Sequence, residues 1–170
     1  IPKSDNLKKH IKNFCILKEF EGEINYFAYP QSGTSLAFYS NACIVKEDSF
    51  IEITKTEKDS PLILLLGKYK LPLQIRYKSY SPEISINFTP TGLNYFFQKN
   101  TSEIASNTAQ FIDDNKWFKA GQQIFDHNSN TDKIDYLERF LLEILVEKDL
   151  SNVEKCVSDM NTNPTNSIST

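Results

Sequence analysis

Between Ile24 and Phe88 the chain alternates apolar and polar residues with a period close to two. Six segments there predict strands: INYFAY, SLAFYS, FIEITKT, LILLLG, LQIRYKSY and ISINF, separated by turn-forming stretches such as PQSG, EKDSP and YSPE. Just upstream, FCILKEF predicts a seventh, and Ser4 predicts the cap of a short helix whose Leu7 and Ile11 share a face. No long helical pattern interrupts the run. Short strands without crossover helices pair most economically as an antiparallel barrel or sandwich, because either arrangement protects strand edges.

The pattern changes at SINFTPTGLNYFF, residues 85–97. Pro90 is expected to end the sheet ladder and Gly92 to supply a backbone angle that other residues resist, so that LNYFF closes one end of the β domain. Downstream, GLNYFF, TSEIAS and WFKAGQQIF predict helical pieces, with Trp117 and Phe118 as the anchor that docks a helix. Residues 131–148 predict the longest helix, with Ile134, Leu137, Phe140, Leu141, Ile144 and Leu145 on one arc. Leu142 and Val146 fall off that arc beside Arg139 and Asp135, a second narrow stripe suited either to simple exposure or to a two-fold dimer seam. SNVE predicts a capping box at Ser151 and Glu154, opening a helix with Val153, Cys156, Val157 and Met160 on its apolar face. NTNPTNSIST then reads as a break followed by the start of another element. The fold class expected is α+β: an N-terminal antiparallel β-barrel or sandwich, cupin-like, followed by an α-helical segment. Residues 1–128 form the β domain with short helices, 129–150 the long helix, and 151–170 the start of something further.

Composition narrows the function. A charged fraction of 24% and an aromatic fraction of 12% describe a folded domain, and a net charge of −3 without a dense basic block argues against DNA binding by these residues alone. No run approaches the ~18 apolar residues of a membrane span, and IPKSDNLKKHIKNF lacks the features of a signal peptide. The absence of an initiating Met predicts residues upstream of Ile1. Cys15, Cys43 and Cys156, odd in number and set in apolar patterns, are expected as reduced, buried or half-buried thiols in the cytoplasm.

Candidate chemistry is sparse. His10 and His127 are far apart and lack the paired His-x-His and Glu of a cupin metal site, so neither metal nor cofactor is expected. No nucleophile motif and no phosphate-binding Gly pattern is present, which argues against an enzyme. Glu52 is expected to face outward, and Glu138, Glu143 and Glu147 to line a solvated helix face. Arg76 on a strand either holds an anionic ligand or faces outward with its stem covered. Tyr29, Phe38, Tyr69, Tyr77 and Phe88 either line a small-molecule pocket or fill the core. The candidate ligand set is therefore Tyr29, Phe38, Arg76 and Tyr77, and the candidate dimer set Arg139, Leu142 and Val146.

Taken in order, IPKSDNLKKHIKNF, FAYPQSGTSLAFY, LLLGKYKLPLQI, INFTPTGLNYFFQKNTSEIASN and DYLERFLLEIL resemble successive motifs in the N-terminal domain of AraC-type transcriptional regulators. Only Phe14 represents the family's aromatic pair near the first strand, with Cys15 where a Trp is common. The resemblance implies a domain for effector sensing, dimerisation or both, with a second copy and a small-molecule effector as the expected partners; no membrane partner is expected. VEKCVSDM resembles the first helix of a helix-turn-helix DNA-binding domain, and SIST the approach to its second, so DNA contact is expected only through residues beyond Thr170. The alternatives are a free-standing small-molecule-binding β-barrel module and a cupin-type enzyme.

Overall fold

The computed structural model describes residues 1–57, 60–67, 69–98 and 107–162. Helix α1 (Asp5–Lys8) leads into β1 (Ile11–Ile16), β2 (Ile24–Ala28), β3 (Ser35–Tyr39), β4 (Ala42–Lys46), β5 (Phe50–Lys55), β6 (Leu62–Leu66), β7 (Leu73–Tyr77) and β8 (Glu83–Phe88). A 3-10 turn at Gly92–Tyr95 follows, then β9 (Ala109–Phe111), α2 (Asn115–Asp126), α3 (Asn130–Ile144) and α4 (Ser151–Thr162). All seven expected strands are present. The periodicity missed β4 and β9; both are short, and β4 (ACIVK) lies close behind β3. The helical reading of TSEIAS at 101–106 and the break after residue 162 lie outside the described residues.

The strands form two sheets, ordered β1-β8-β3-β6-β9 and β2-β7-β5-β4. Among the described residues they do not close into a barrel. The expectation of purely antiparallel pairing also needs correction, since β5 and β7 run parallel, with Glu52 opposite Arg76. The architecture is mixed α+β, with the helices toward the C-terminal side.

Side-chain alternation builds three layers. Leu36, Phe38, Ile63, Leu65, Ile84 and Ile86 point from the first sheet into one core with Trp117, Ile124, Leu137 and Leu141 of the helices. Their neighbours Ala37, Tyr39 and Leu64 point the other way, into a second core with Ile51, Ile53, Leu73, Ile75 and Tyr77 of the second sheet. The first sheet is thus covered on both faces, which is why SLAFY and LILLL read as unbroken apolar runs. A register shift between Ile11 and Asn13 acts as a bulge, turning Ile11 and Phe14 toward the helical core and leaving Asn13 and Cys15 on the other side.

Trp117 is the expected helix anchor: buried, stacked on Phe97 at 4.9 Å and edge-on to Phe140 at 5.2 Å. Phe118 is partly exposed and is no part of it. Asp114 caps α2 by accepting from the N–H groups of Lys116 and Trp117, and Ser129 caps α3 by accepting from Asp132 N–H.

Several local expectations are corrected. The long helix ends at Ile144, not at residue 148: Leu145 turns extended, and Val146 N–H donates to the Tyr95 carbonyl at 2.8 Å. Glu138 is not solvated but buried, and accepts from the N–H groups of Lys3 at 2.7 Å and Ser4 at 3.4 Å, tying the N-terminal segment to α3. The Ser151–Glu154 capping box is absent. Ser151 N–H instead donates to Asp149, while Glu154 accepts from the Tyr95 hydroxyl at 2.8 Å and that of Thr91 at 3.2 Å. The three cysteines are free, as expected, but exposed. No helix among the described residues is long and apolar enough to cross a membrane.

Candidate functional site

Strands β1, β8, β3 and β6 of the first sheet and β2 and β7 of the second leave space between the layers. In β8 the inward positions are Glu83, Ser85 and Asn87, the polar half of an alternating strand whose apolar half, Ile84, Ile86 and Phe88, faces the helices. Tyr39 of β3 lies directly opposite Glu83 in register, and Tyr77 of β7 reaches across from the other sheet. The result is a cavity of about 580 Å³ between the sheets. Tyr39, Tyr77 and Glu83 form its polar floor, and Tyr26, Tyr69 and the 67%-exposed Tyr29 stand toward its opening.

The floor is a hydrogen-bonded cluster. The Tyr77 hydroxyl donates to Glu83 Oε2, the Tyr39 hydroxyl lies beside both groups, and the Tyr26 ring stacks beside that of Tyr77. Burial pushes the Glu83 carboxyl up to about 7, despite the two phenols that favour its charged form. Burial raises Tyr39 and Tyr77 well above the ordinary phenol value and Tyr26 to about 12, so the phenols remain donors at neutral pH. At the rim the Tyr69 hydroxyl donates to the Tyr29 carbonyl at 3.0 Å, and Asn87 Nδ2 donates to Asn13 Oδ1 at 2.7 Å.

A raised carboxyl makes stability depend on pH. Glu83 contributes fully below its unfolded value near 4.5, and the contribution is lost as pH rises through about 7. The groups around it are Tyr39, Tyr77 and Tyr26, with Lys18, Glu19 and Lys133 along an outer cleft that it also borders. Glu83→Gln, which keeps the shape and an acceptor oxygen, is expected to be more stable than the parent at pH ~8 by about 1–3 kcal/mol. That advantage should vanish toward pH ~4.5. Urea midpoints across this range check it; a variant less stable than the parent at the alkaline end contradicts the assignment.

Of the four candidate ligand residues, the cavity brings together Tyr29 and Tyr77. Phe38 is a correction: it points to the opposite face of β3, fully buried with its ring 6.0 Å from that of Trp117. Arg76 is another. It alternates with Tyr77 and so lies on the outer face, where its guanidinium meets Glu23 at 2.7 Å and Glu52 at 3.8 Å, with Lys78 pairing the same Glu52 at 2.8 Å. Phe88 belongs to the helical core, against Phe96 at 5.5 Å. Sequence reasoning missed Tyr39, Glu83, Ser85 and Asn87. The alternation of EISINF marks Glu83, Ser85 and Asn87 as one face of β8, and nothing in the sequence marks Tyr39.

In the candidate dimer set, Leu142 and Val146 are each 40% exposed. Val146 is no longer one turn from Leu142 on a helix, because α3 has ended; Leu142 and Arg139 instead border a shallow cleft with His127 and Asp135. Among the described residues no three His, Cys, Asp or Glu side chains converge as metal ligands would.

The fold and cavity define a class: a two-sheet sandwich, covered by helices on one side, that encloses a tyrosine-lined polar cavity between its sheets. Among protein families, curated proteins and solved structures, none matches this chain.

Proposed function

We propose that this chain is the regulatory domain of an AraC-type transcriptional regulator, with a cupin-like sandwich as effector sensor. The observation that carries the reading is the cavity: a pocket of ligand size walled by both sheets and floored by buried polar groups has the form of a small-molecule site. The sequence motifs that frame it support the same reading. So does α4, whose Val153 and Met160 are exposed on an amphipathic helix, as expected of a segment leading to a further domain. In this reading the protein works in the cytoplasm as a homodimer, with Arg139, Leu142 and Val146 in the seam. It is not an enzyme in this reading, and its DNA contacts are made by residues other than 1–170.

The test compares residues 1–170 with the product of the whole reading frame in a gel shift. The short form, with its net charge of −3, should leave duplex DNA unshifted at physiological salt, whereas the whole product should shift a specific site with two chains per duplex. A specific shift by residues 1–170, or a whole product that shifts none of the DNA flanking its own gene, overturns the reading.

A further inference from the structure

We propose that the cavity between the sheets takes an organic cation, with an ammonium group seated against Glu83 and its hydrocarbon part against the tyrosine rings. The proposal rests on reading this cavity as an effector site and adds the ligand's charge and chemical class.

Charge is the first argument. Among the described residues lining the cavity there is a carboxylate, Glu83, and no Lys, Arg or His. Lys12 comes near Gly33 at one end of the rim, and Lys18 and Lys133 lie along the outer cleft that Glu83 also borders, outside the cavity's lining. An anionic ligand would therefore meet a like charge with no counter-ion among the described residues of the cavity wall, whereas a cation meets its complement.

Hydrogen bonding is the second. A carboxylate offers about four lone-pair sites. Tyr77 donates to Glu83 and the Tyr39 hydroxyl lies beside it, which leaves acceptor capacity for an N–H donor. The two phenols also hold the carboxylate in place, so that a ligand need not order it. The Ser85 hydroxyl projects from the same face of β8 and supplies a further acceptor lone pair. An ammonium, with three donors and no acceptor, matches this set; an alcohol matches only part of it.

The third argument is the approach to the floor. Tyr26, Tyr29 and Tyr69 line the cavity, with Tyr26 and Tyr29 also exposed to solvent, and aromatic faces attract a passing cation while covering an attached alkyl chain. The fourth is energetic. A carboxylate buried among phenols with no counter-charge burdens the folded state. A bound ammonium supplies that counter-charge and converts the burden into binding energy. Glu83 would then do more than accept from the buried Tyr77 hydroxyl.

The probes are n-hexylammonium, 1-hexanol and hexanoate, equal in chain length and differing in charge, titrated calorimetrically into the protein at constant ionic strength. The expected order is hexylammonium first, by about tenfold or more over hexanol, with hexanoate weakest. Glu83→Gln should weaken hexylammonium by about tenfold while leaving hexanol within about twofold. Should that variant fail to fold, the ranking of the three probes on the parent protein decides alone. Hexanoate or hexanol binding as tightly as hexylammonium, or no binding by any probe at millimolar concentration, overturns the proposal. A whole reading-frame product that shifts DNA but prefers hexanoate sinks the amine and spares the regulator. Amine binding by a product that shifts no DNA does the reverse.

Discussion

Gly92→Ala is expected to destabilise the protein by ~3 kcal/mol or more, because the added methyl has nowhere to go. A Cβ built at this glycine falls 1.9 Å from the His10 carbonyl oxygen, 2.8 Å from its carbon and 2.8 Å from Thr89 Oγ1. Two of these atoms are backbone, and that backbone is fixed. The His10 carbonyl accepts from Thr89 N–H at 2.9 Å and from the Thr89 hydroxyl at 3.2 Å, and the His10 ring packs on Tyr95 at 3.9 Å. Relief of the clash therefore means parting the N-terminal segment from the 3-10 turn. Equilibrium urea unfolding of the two proteins measures the loss; a difference within ~0.5 kcal/mol would show that the two segments are not in close contact.

This glycine also shows how a correct reading of place can carry a wrong reason. The sequence marks an elbow at Pro90–Gly92, and the elbow is there. The expected cause was a backbone angle closed to other residues, yet of the described glycines only Gly22 has a positive φ. Gly92 is required by close approach to a residue 82 positions earlier. Local patterns report local conformation, while the neighbour that forbids a side chain is set by tertiary packing and leaves no mark nearby.

The same limit explains which parts of the cavity were legible. Strand positions followed from the period of two, since alternation is a property of the strand itself. Which face of a strand looks where is another matter. In β8, Glu83, Ser85 and Asn87 alternate with apolar residues as they would on a strand with one wet face, and polar residues facing an internal cavity look the same in sequence as polar residues facing bulk water. In β7 adjacent residues point to opposite faces, so a ligand set holding both Arg76 and Tyr77 was at most half right: Tyr77 faces in, and Arg76 faces out to its ion pairs with Glu23 and Glu52. In β3 the pattern was uninformative, because both faces are covered and all of Leu36–Tyr39 is apolar. Parity there is decided by what packs above and below. Glu138 was misread for a related reason, since its partners are backbone N–H groups of Lys3 and Ser4, more than a hundred residues away.

Phe38 and Tyr39 turn that parity into a measurement. Phe38→Ala is expected to lose about 3–5 kcal/mol, the cost of a large aromatic removed from a site that cannot collapse. Its ring is fully buried, lies near Trp117, and stands 3.3 Å from where a Cβ of Gly121 would be, so α2 is seated directly on it. Trp117 in turn is held by Phe97 and Phe140, and a backbone ladder anchors β3 on both sides, which leaves little freedom to fill the void. Tyr39→Phe, one residue along, keeps the ring and removes only the buried hydroxyl beside Glu83 and Tyr77; it should cost about 1–2 kcal/mol at neutral pH. Under conditions where both variants are folded, the two should differ in kind as well as size. Phe38→Ala should leave the affinity of a cavity-binding cation within about twofold, because the lesion lies on the far side of the sheet. Tyr39→Phe should alter that affinity, because it frees the carboxylate the cation would meet. Denaturant midpoints and calorimetric titration of the pair supply both readings. A Phe38→Ala loss below ~1 kcal/mol, or a binding defect greater than that of Tyr39→Phe, would place Phe38 in the cavity wall and reverse the facing of the central strand.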